Sequence, residues 1–155
     1  MCMKKIKLTQ NKYALVDDED FEKLSKYKWH FTGQYAAHRL HRNGGNKKIQ
    51  WMHRFILNTP IGKDTDHING NKLDNRKKNL RICSRTENSR NSKIRSNNTS
   101  GFKGVHWHGA LKKWRARIKV NGKCIHLGCF DDKKSAHNAY CKASEILFGE
   151  FANKG

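Results

Sequence analysis

The stretch DHINGNKLDNRKKNLR, residues 66–81, sets an aspartate directly before a histidine and follows both with asparagines. Asn79 comes twelve residues after His67, and Asn88 nine after that. A hairpin-like loop followed by a helix can gather Asp66, His67 and Asn88 at one place. A carboxylate and an amide oxygen are hard ligands suited to magnesium, which keeps most of its waters and takes few protein ligands. Such an ion contacts a scissile phosphate and stabilises the leaving oxygen. A neutral imidazole beside it takes the proton of an attacking water, because its ordinary pKa lies near working pH. These are the parts needed for phosphodiester hydrolysis.

Positioning falls to the elements on either side. Pro60 and Gly62 interrupt the chain before the motif, and Asn69-Gly70 is a tight-turn dipeptide. LRIC, 80–83, is a short apolar strand. In SRTE, Ser84 with Glu87 three residues on makes a capping box, so a helix starts there and carries Asn88 in its first turn. Upstream, KYALV reads as a strand. DDEDFEKLSKY reads as a short helix that opens on acids and has Phe21 and Leu24 at helical spacing. KWHF and QYAAHRL are strands bracketing Gly33, and NGGNKK is a turn. IQWMHRFIL is apolar enough to be buried, and helix or strand stays open.

Residues 92–100, SKIRSNNTS, are polar and lack apolar periodicity, as in a linker. Lys93 and Arg95 in it could track a phosphate backbone. Beyond it, WRARIKV-NG-KCIHL is two strands joined by an Asn-Gly turn. The turn pairs Val120 with Lys123, Ile118 with Ile125 and Ala116 with Leu127. Trp114, Ala116, Ile118 and Val120 then share one face with Ile125 and Leu127, while Arg115, Arg117 and Lys119 share the other with His126. DDKKSAHNAYCKASEILFG places Ala136, Ala139, Tyr140, Ala143, Ile146 and Leu147 at helical spacing. That helix can cover the apolar face and leave the cationic one open. An ordinary sheet surface mixes signs; this face carries no acid.

Composition agrees with an anionic partner. The 155 residues suffice for one ordinary domain or two small ones. Thirty-three Lys and Arg oppose 13 Asp and Glu, a formal charge of +20 that attracts polyanions, nucleic acid first. Between residues 23 and 130 only Asp64, Asp66, Asp74 and Glu87 are acidic, against 25 Lys and Arg. A carboxylate kept on a phosphate-binding surface needs a reason, and cation binding is one. The five cysteines are odd in number and form no CxxC pair, which argues against a disulfide framework or a Cys-rich zinc site and for reduced cytosolic thiols. The N-terminal KKIK is followed by polar residues, unlike a signal peptide, and no stretch approaches the length of a membrane span. Trp29, Trp51 and Trp114 read as core and Trp107 as ambiguous. Arg76, Lys77 and Lys78 beside the loop would grip phosphates.

VDDEDFEKLSKYKW, MHRFIL, DHINGNKLDNRKKNLR and ENSRN together resemble the HNH homing-type endonucleases of phages and mobile introns, over about the first 92 residues. The resemblance implies the ββα-metal fold. It implies Asp66 as a metal ligand, His67 as general base, Asn79 as the central asparagine that pins the loop by hydrogen bonds, and Asn88 as the second metal ligand. The last motif position is Asn and not His, an HNN variant as in the intron-encoded branch. His53, in MHR, matches a recurrent position with a supporting or phosphate-contacting role. SGFKGVHW, KWRARI, NGKCIHLGCF and AYCKASEILFGEFA resemble the Apetala-type (ethylene-response-factor) DNA-binding domain over nearly all of 99–152. That family lays a three-stranded antiparallel sheet in the major groove with a helix behind. Carried over by position, Lys103, His106 and His108 would face DNA from the first strand, Arg115, Arg117 and Lys119 from the second, and His126 from the third. The plant domains have more Arg at several of these places, and Arg reads guanine through two hydrogen bonds, so the plant target sequence does not transfer.

The expectation is an α+β protein: an HNH endonuclease domain over 1–92 with its core motif at 51–92, a linker at 93–100, and an Apetala-type DNA-binding domain over 101–153 with three antiparallel strands packed on one helix. It would nick duplex DNA with magnesium or another divalent cation such as manganese, as a monomer rather than a homodimer. It would take no small-molecule substrate, touch no membrane and work in the cytoplasm, that of the host cell if phage-encoded. The alternative is a DNA-binding regulator with an inactive HNH module. A third reading is an RNA-binding basic protein, separated by comparing duplex DNA with RNA, since the sheet needs a wide B-form major groove.

Overall fold

MKKIK, with three lysines around one isoleucine, gives little sign of a strand, yet it forms β1 (Met3–Lys7). It pairs antiparallel with β2 (Tyr13–Asp17), Ile6 opposite Ala14. Gln10 and Asn11 close this hairpin at φ +59° and +52°. Two successive left-handed residues give a turn that matches the strands' twist. The computed structural model describes residues 3–40 and 48–154. The turn expected in NGGNKK falls mainly on 43–47, outside the described residues. The chain divides into two compact units, Met1–Asn88 and Ser89–Gly155.

In the first unit, Ile6, Leu8, Ala14 and Val16 meet Leu24, Trp29, Ala36 and Met52 in one core. Helix α1 (Asp18–Ser25) begins on Asp18, Glu19 and Asp20, placed where the helix dipole favours negative charge. Asp17 stands at the N-cap position, but its carboxylate caps nothing there. It accepts instead from the backbone N–H of Lys77 at 2.7 Å, sixty residues along the chain. The Trp29 indole N–H donates to the carbonyl of Leu24 at 2.8 Å, which satisfies its one polar group inside the core.

Three further strands, β3 (His30–Phe31), β4 (Ala36–Leu40) and β5 (Lys48–Trp51), form an antiparallel sheet in that order. IQWMHRFIL fits helix and strand alike because it is both: it runs from β5 directly into α2 (Met52–Ile56). The motif region follows as β6 (Asp64–His67), β7 (Leu80–Cys83) and α3 (Arg85–Arg90), with β6 and β7 antiparallel.

The second unit is a sheet of β8 (Val105–His108), β9 (Lys113–Val120) and β10 (Lys123–Phe130) in the order β10-β9-β8, with α4 (Lys133–Phe148) against it. Val120 opposes Lys123 and Ile118 opposes Ile125 as the turn requires, but Ala116 opposes Gly128 and not Leu127. A bulge between His126 and Gly128 inserts one residue, an irregularity the turn dipeptide cannot announce. The buried stripe of α4 is Ala136, Tyr140, Ser144 and Phe148, four residues apart, and Asp132 caps it by accepting from Ser135 N–H at 2.8 Å. Ile146 and Leu147, expected inward, lie off that stripe and are exposed. Ile125 is exposed too, although it shares the face of Ile118.

The stretch expected as a linker is held to this unit. Ser100 is buried, and its hydroxyl donates to the carbonyl of Val105 at 2.8 Å. Asn153 donates to the carbonyl of Asn91 at 2.8 Å, and the Arg90 guanidinium lies 4.5 Å from the Phe148 ring centre. Arg90 and Asn91 come just before the stretch read as a linker, and composition does not announce contacts of this range.

Gly104 sits where β8 begins, at φ +73°. A Cβ there would lie 2.1 Å from a Tyr140 ring carbon and 2.8 Å from the carbonyl oxygen of Arg117. Gly104→Ala adds backbone strain to overpacking, each about 1–3 kcal/mol. Urea unfolding of the whole chain is expected to show a loss of about 3 kcal/mol. A loss below about 0.5 kcal/mol would mean that the Tyr140 ring moves aside freely.

Candidate functional site

Side chains alternate along β6, so Asp64 and Asp66 share one face and Thr65 and His67 the other. Asp66 is 1% exposed and directly opposite Arg81 on β7. The Arg81 guanidinium donates to one Asp66 oxygen from Nε at 3.1 Å and from Nη2 at 2.8 Å.

The loop from β6 to β7 has almost no regular secondary structure, and asparagines satisfy its backbone. Gly70 N–H donates to the His67 carbonyl at 2.8 Å, closing the Asn-Gly turn. Asn79 accepts from Asn69 N–H through Oδ1 at 3.0 Å and donates from Nδ2 to the Asp74 carbonyl at 2.8 Å. It thus ties the start of the loop to its middle. Asn69 Oδ1 takes the N–H of Asn71, and Asn71 Oδ1 takes that of Leu73, the local bonding that suits asparagine to such loops. The β1–β2 hairpin holds the loop from outside: Leu15 N–H donates to the Leu73 carbonyl, and Asn75 N–H to the Leu15 carbonyl, both at 2.8 Å.

His67 has no solvent exposure. Its Nε2 is 3.3 Å from Asn75 Oδ1, and its ring centre is 5.2 Å from that of His53 and 6.0 Å from that of Tyr35. Burial pushes its pKa down to about 4, against the opposing pull of Asn75, Asp66 and Asp74. Burial likewise pushes His53 down to about 3, with His67 and Arg54 adding to the effect. Both imidazoles are therefore neutral near pH 7, the form in which an imidazole can accept a proton. His53 stacks nearly parallel to Trp51, its ring centre 6.3 Å away.

Asn88 is carried by α3, which opens on a complete capping box. Ser84 donates from both N and Oγ to Glu87 at 2.7 Å, and Glu87 N–H donates back to Ser84 Oγ at 3.2 Å. Asn88 Nδ2 then donates to Asp64 Oδ2 at 3.2 Å. Asp64 is a residue to which sequence reasoning gave no role. A cleft of about 240 Å³ is lined by Tyr35, Trp51, His53, Arg54, Asp64, Thr65 and Asn88. The Tyr35 phenol is pushed above its ordinary pKa by burial, then by Asp66 and Asp64. Asp64, Asn88 and His53 line the cleft, whereas Asp66 and His67 are buried and do not. The one sequence signal for Asp64 was its survival as one of four acids across a basic stretch. Nothing local marked Tyr35, Asn75 or Arg81.

The three cations expected on phosphates differ in the structure. Arg76 is paired with Asp74 at 2.7 Å, and Lys77 with Glu19 at 2.6 Å and Asp20 at 3.3 Å. Carboxylates hold these two in place, and Lys78 stays exposed. No group of three His, Cys, Asp or Glu able to hold a metal occurs among the described residues. Asp64, Asp66 and Asn88 offer only oxygen donors, which suits a hard cation.

On the sheet of the second unit, His106 opposes Arg115, His108 opposes Lys113 and His126 opposes Arg117. These side chains share the face turned away from α4. Arg117, Lys119 and His126 are exposed, while His106 and Arg115 are half-buried. Burial, then Arg117 and Arg115, lower the pKa of His106. His108 accepts from Leu111 N–H at 3.3 Å and so closes the turn into β9. Lys103 is not on this face. It precedes β8, and its ammonium donates to the carbonyls of Arg90 at 2.7 Å and Ser92 at 2.8 Å. Half-buried there, it is a clamp on the end of α3 and the chain after it. Trp107 faces the apolar side and meets Trp114 edge to face at 5.1 Å, though half of it is exposed.

Residues 58–90 match the HNH endonuclease family, a segment that holds β6, the asparagine loop, β7 and α3. Two viral relatives go further along the chain. Protein 3.8 of Escherichia phage T7 is 42% identical over 64 residues, 41% of this chain and 53% of that protein. An uncharacterized HNH endonuclease of Acanthamoeba polyphaga mimivirus is 29% identical over 144 residues, 90% of this chain and 73% of that protein. The chain thus spans about half the length of the phage relative. No solved structure gives a significant match. The family segment and the mimivirus relative support a nuclease enzyme. Among the described residues, no helix is long and apolar enough to cross a membrane.

Proposed function

We propose that this protein is a DNA endonuclease of the HNH homing type, which hydrolyses one strand of a duplex through a ββα-metal site built by β6, β7 and α3. The observation that carries the reading is that the family-matched segment folds with His67 neutral, Asn79 bracing the loop and Asn88 reaching back from the helix to an Asp of β6. His67 accepts the proton of the attacking water, whose oxygen joins phosphorus as the bond to the leaving deoxyribose oxygen breaks. Asp66 and Asn88 would hold a magnesium or manganese ion, which supplies charge to the phosphate and the leaving oxygen. Arg81 competes for Asp66, so binding the cation requires the guanidinium to give way or share. A site with one base and one ion cuts one strand at a time.

The sheet of the second unit is the proposed reader of the duplex, with Arg115, Arg117, Lys119, His106, His108 and His126 on one cationic face, where Lys113 is paired with Asp131 at 3.1 Å. The division is 1–92 for cutting and 101–153 for recognition, and phosphate contacts alone would give affinity without choice. The alternative, a DNA-binding regulator with an inactive HNH module, draws support from the enclosure of Asp66 and His67.

Supercoiled plasmid with magnesium decides between them. Conversion to nicked circles, stopped by chelation, is expected; a wild-type chain that binds the plasmid but leaves it intact at every divalent cation tried establishes the regulator. Arg117→Ala is expected to weaken duplex binding by roughly tenfold, within the 1–3 kcal/mol of one good base or phosphate contact. Unchanged affinity in a fluorescence anisotropy titration would remove this face from the interface.

A further inference from the structure

We propose that Asn75 is a positioning residue for His67: its side-chain amide fixes the imidazole proton on Nε2 and leaves Nδ1 to take the proton from water. The inference rests on the hydrolytic reading above and goes beyond it by naming the nitrogen and what selects it.

Three observations carry it. Asn75 is 1% exposed and His67 fully enclosed, so neither partner can exchange the other for water. Asn75 Nδ2 donates to the Leu73 carbonyl at 3.3 Å. A carbonyl only accepts, so the NH2 end of the amide must face Leu73 and the oxygen end must face His67. That oxygen, 3.3 Å from Nε2, also only accepts. A neutral imidazole has one N–H and one lone pair, so the proton lies on Nε2 and the lone pair on Nδ1.

Asn75 is itself held firmly. Its N–H donates to the Leu15 carbonyl, and Leu15 N–H donates to the same Leu73 carbonyl that orients the amide. Leu15 belongs to β2, so the N-terminal hairpin, far from the motif in sequence, determines the setting of the base. Without the amide, nothing holds the proton on Nε2: it can move to Nδ1, and a half-turn of the ring about its bond to Cβ puts Cδ2–H where Nδ1 stood, so part of the population presents no lone pair where one is needed.

The test uses the full chain in two measurements. Long-range proton–nitrogen correlation spectra at neutral pH, with His67 assigned by its loss in His67→Gln, are expected to show a protonated Nε2 and a bare Nδ1. Plasmid nicking by Asn75→Leu, which keeps the shape and removes the acceptor, is expected to show turnover reduced by about 10- to 100-fold with KM unchanged, as when an orienting partner of a catalytic group is removed. A proton found on Nδ1, or Asn75→Leu turning over at the wild-type rate, overturns the assignment. If Asn75→Leu does not fold, the wild-type spectra decide alone. If wild-type protein never nicks DNA, the endonuclease reading fails, and the spectra still show separately whether Asn75 sets the ring.

Discussion

His67→Ala is expected to abolish nicking, with a loss of about 10³-fold, inside the 10²–10⁴ that a positioned general base supplies. Binding to the same duplex should stay within about twofold, because His67 is enclosed and touches no surface that DNA could reach unaided. Initial rates of plasmid nicking under excess enzyme give the first quantity, and anisotropy titration without a divalent cation gives the second. Circular dichroism must show a folded chain, since removing a buried ring leaves a cavity. Should the variant nick as fast as wild type, His67 is not the base. His53, 5.2 Å away and lining the cleft, then becomes the residue to change.

Arg81→Ala is expected to destabilise the first unit by about 3–5 kcal/mol. Asp66 is 1% exposed, and its carboxylate takes two bonds from this guanidinium. Removing one member of a buried ion pair leaves the other charge buried without its counter-charge, which is far worse than never having buried the pair. Arg81→Lys should recover only part of the loss, because an ammonium lacks the planar fork. Urea unfolding of the full chain reads both. A loss under about 1 kcal/mol would show that Asp66 reaches water or a second partner once Arg81 is gone. It would also make Asp66 freer to take a cation than this structure suggests. A divalent cation that stabilised Arg81→Ala more than wild type would point the same way.

The capping box of α3 was legible because it is local: Ser84 and Glu87 are three residues apart and need no other part of the chain. The Asn-Gly hairpin of β9 and β10, the strand at LRIC and the acid-led helix α1 were legible for the same reason, since periodicity and turn chemistry act over a few residues. The bulge at Leu127 was not, because whether a strand admits an extra residue depends on what α4 packs against it.

The candidate site divides along the same line. By itself the sequence determined that an Asp-His pair, a loop of asparagines and a capped helix bearing Asn88 follow one another at fixed spacing. It also determined that one face of the second sheet is cationic. Only tertiary structure decided which of those groups are open and which are held. Arg81 across the ladder takes Asp66, Asp64 meets Asn88, acids of α1 take Lys77, and carbonyls of Arg90 and Ser92 take Lys103. A charged side chain settles on whatever opposite charge or carbonyl the fold brings within about 3 Å, and that partner can be sixty residues away.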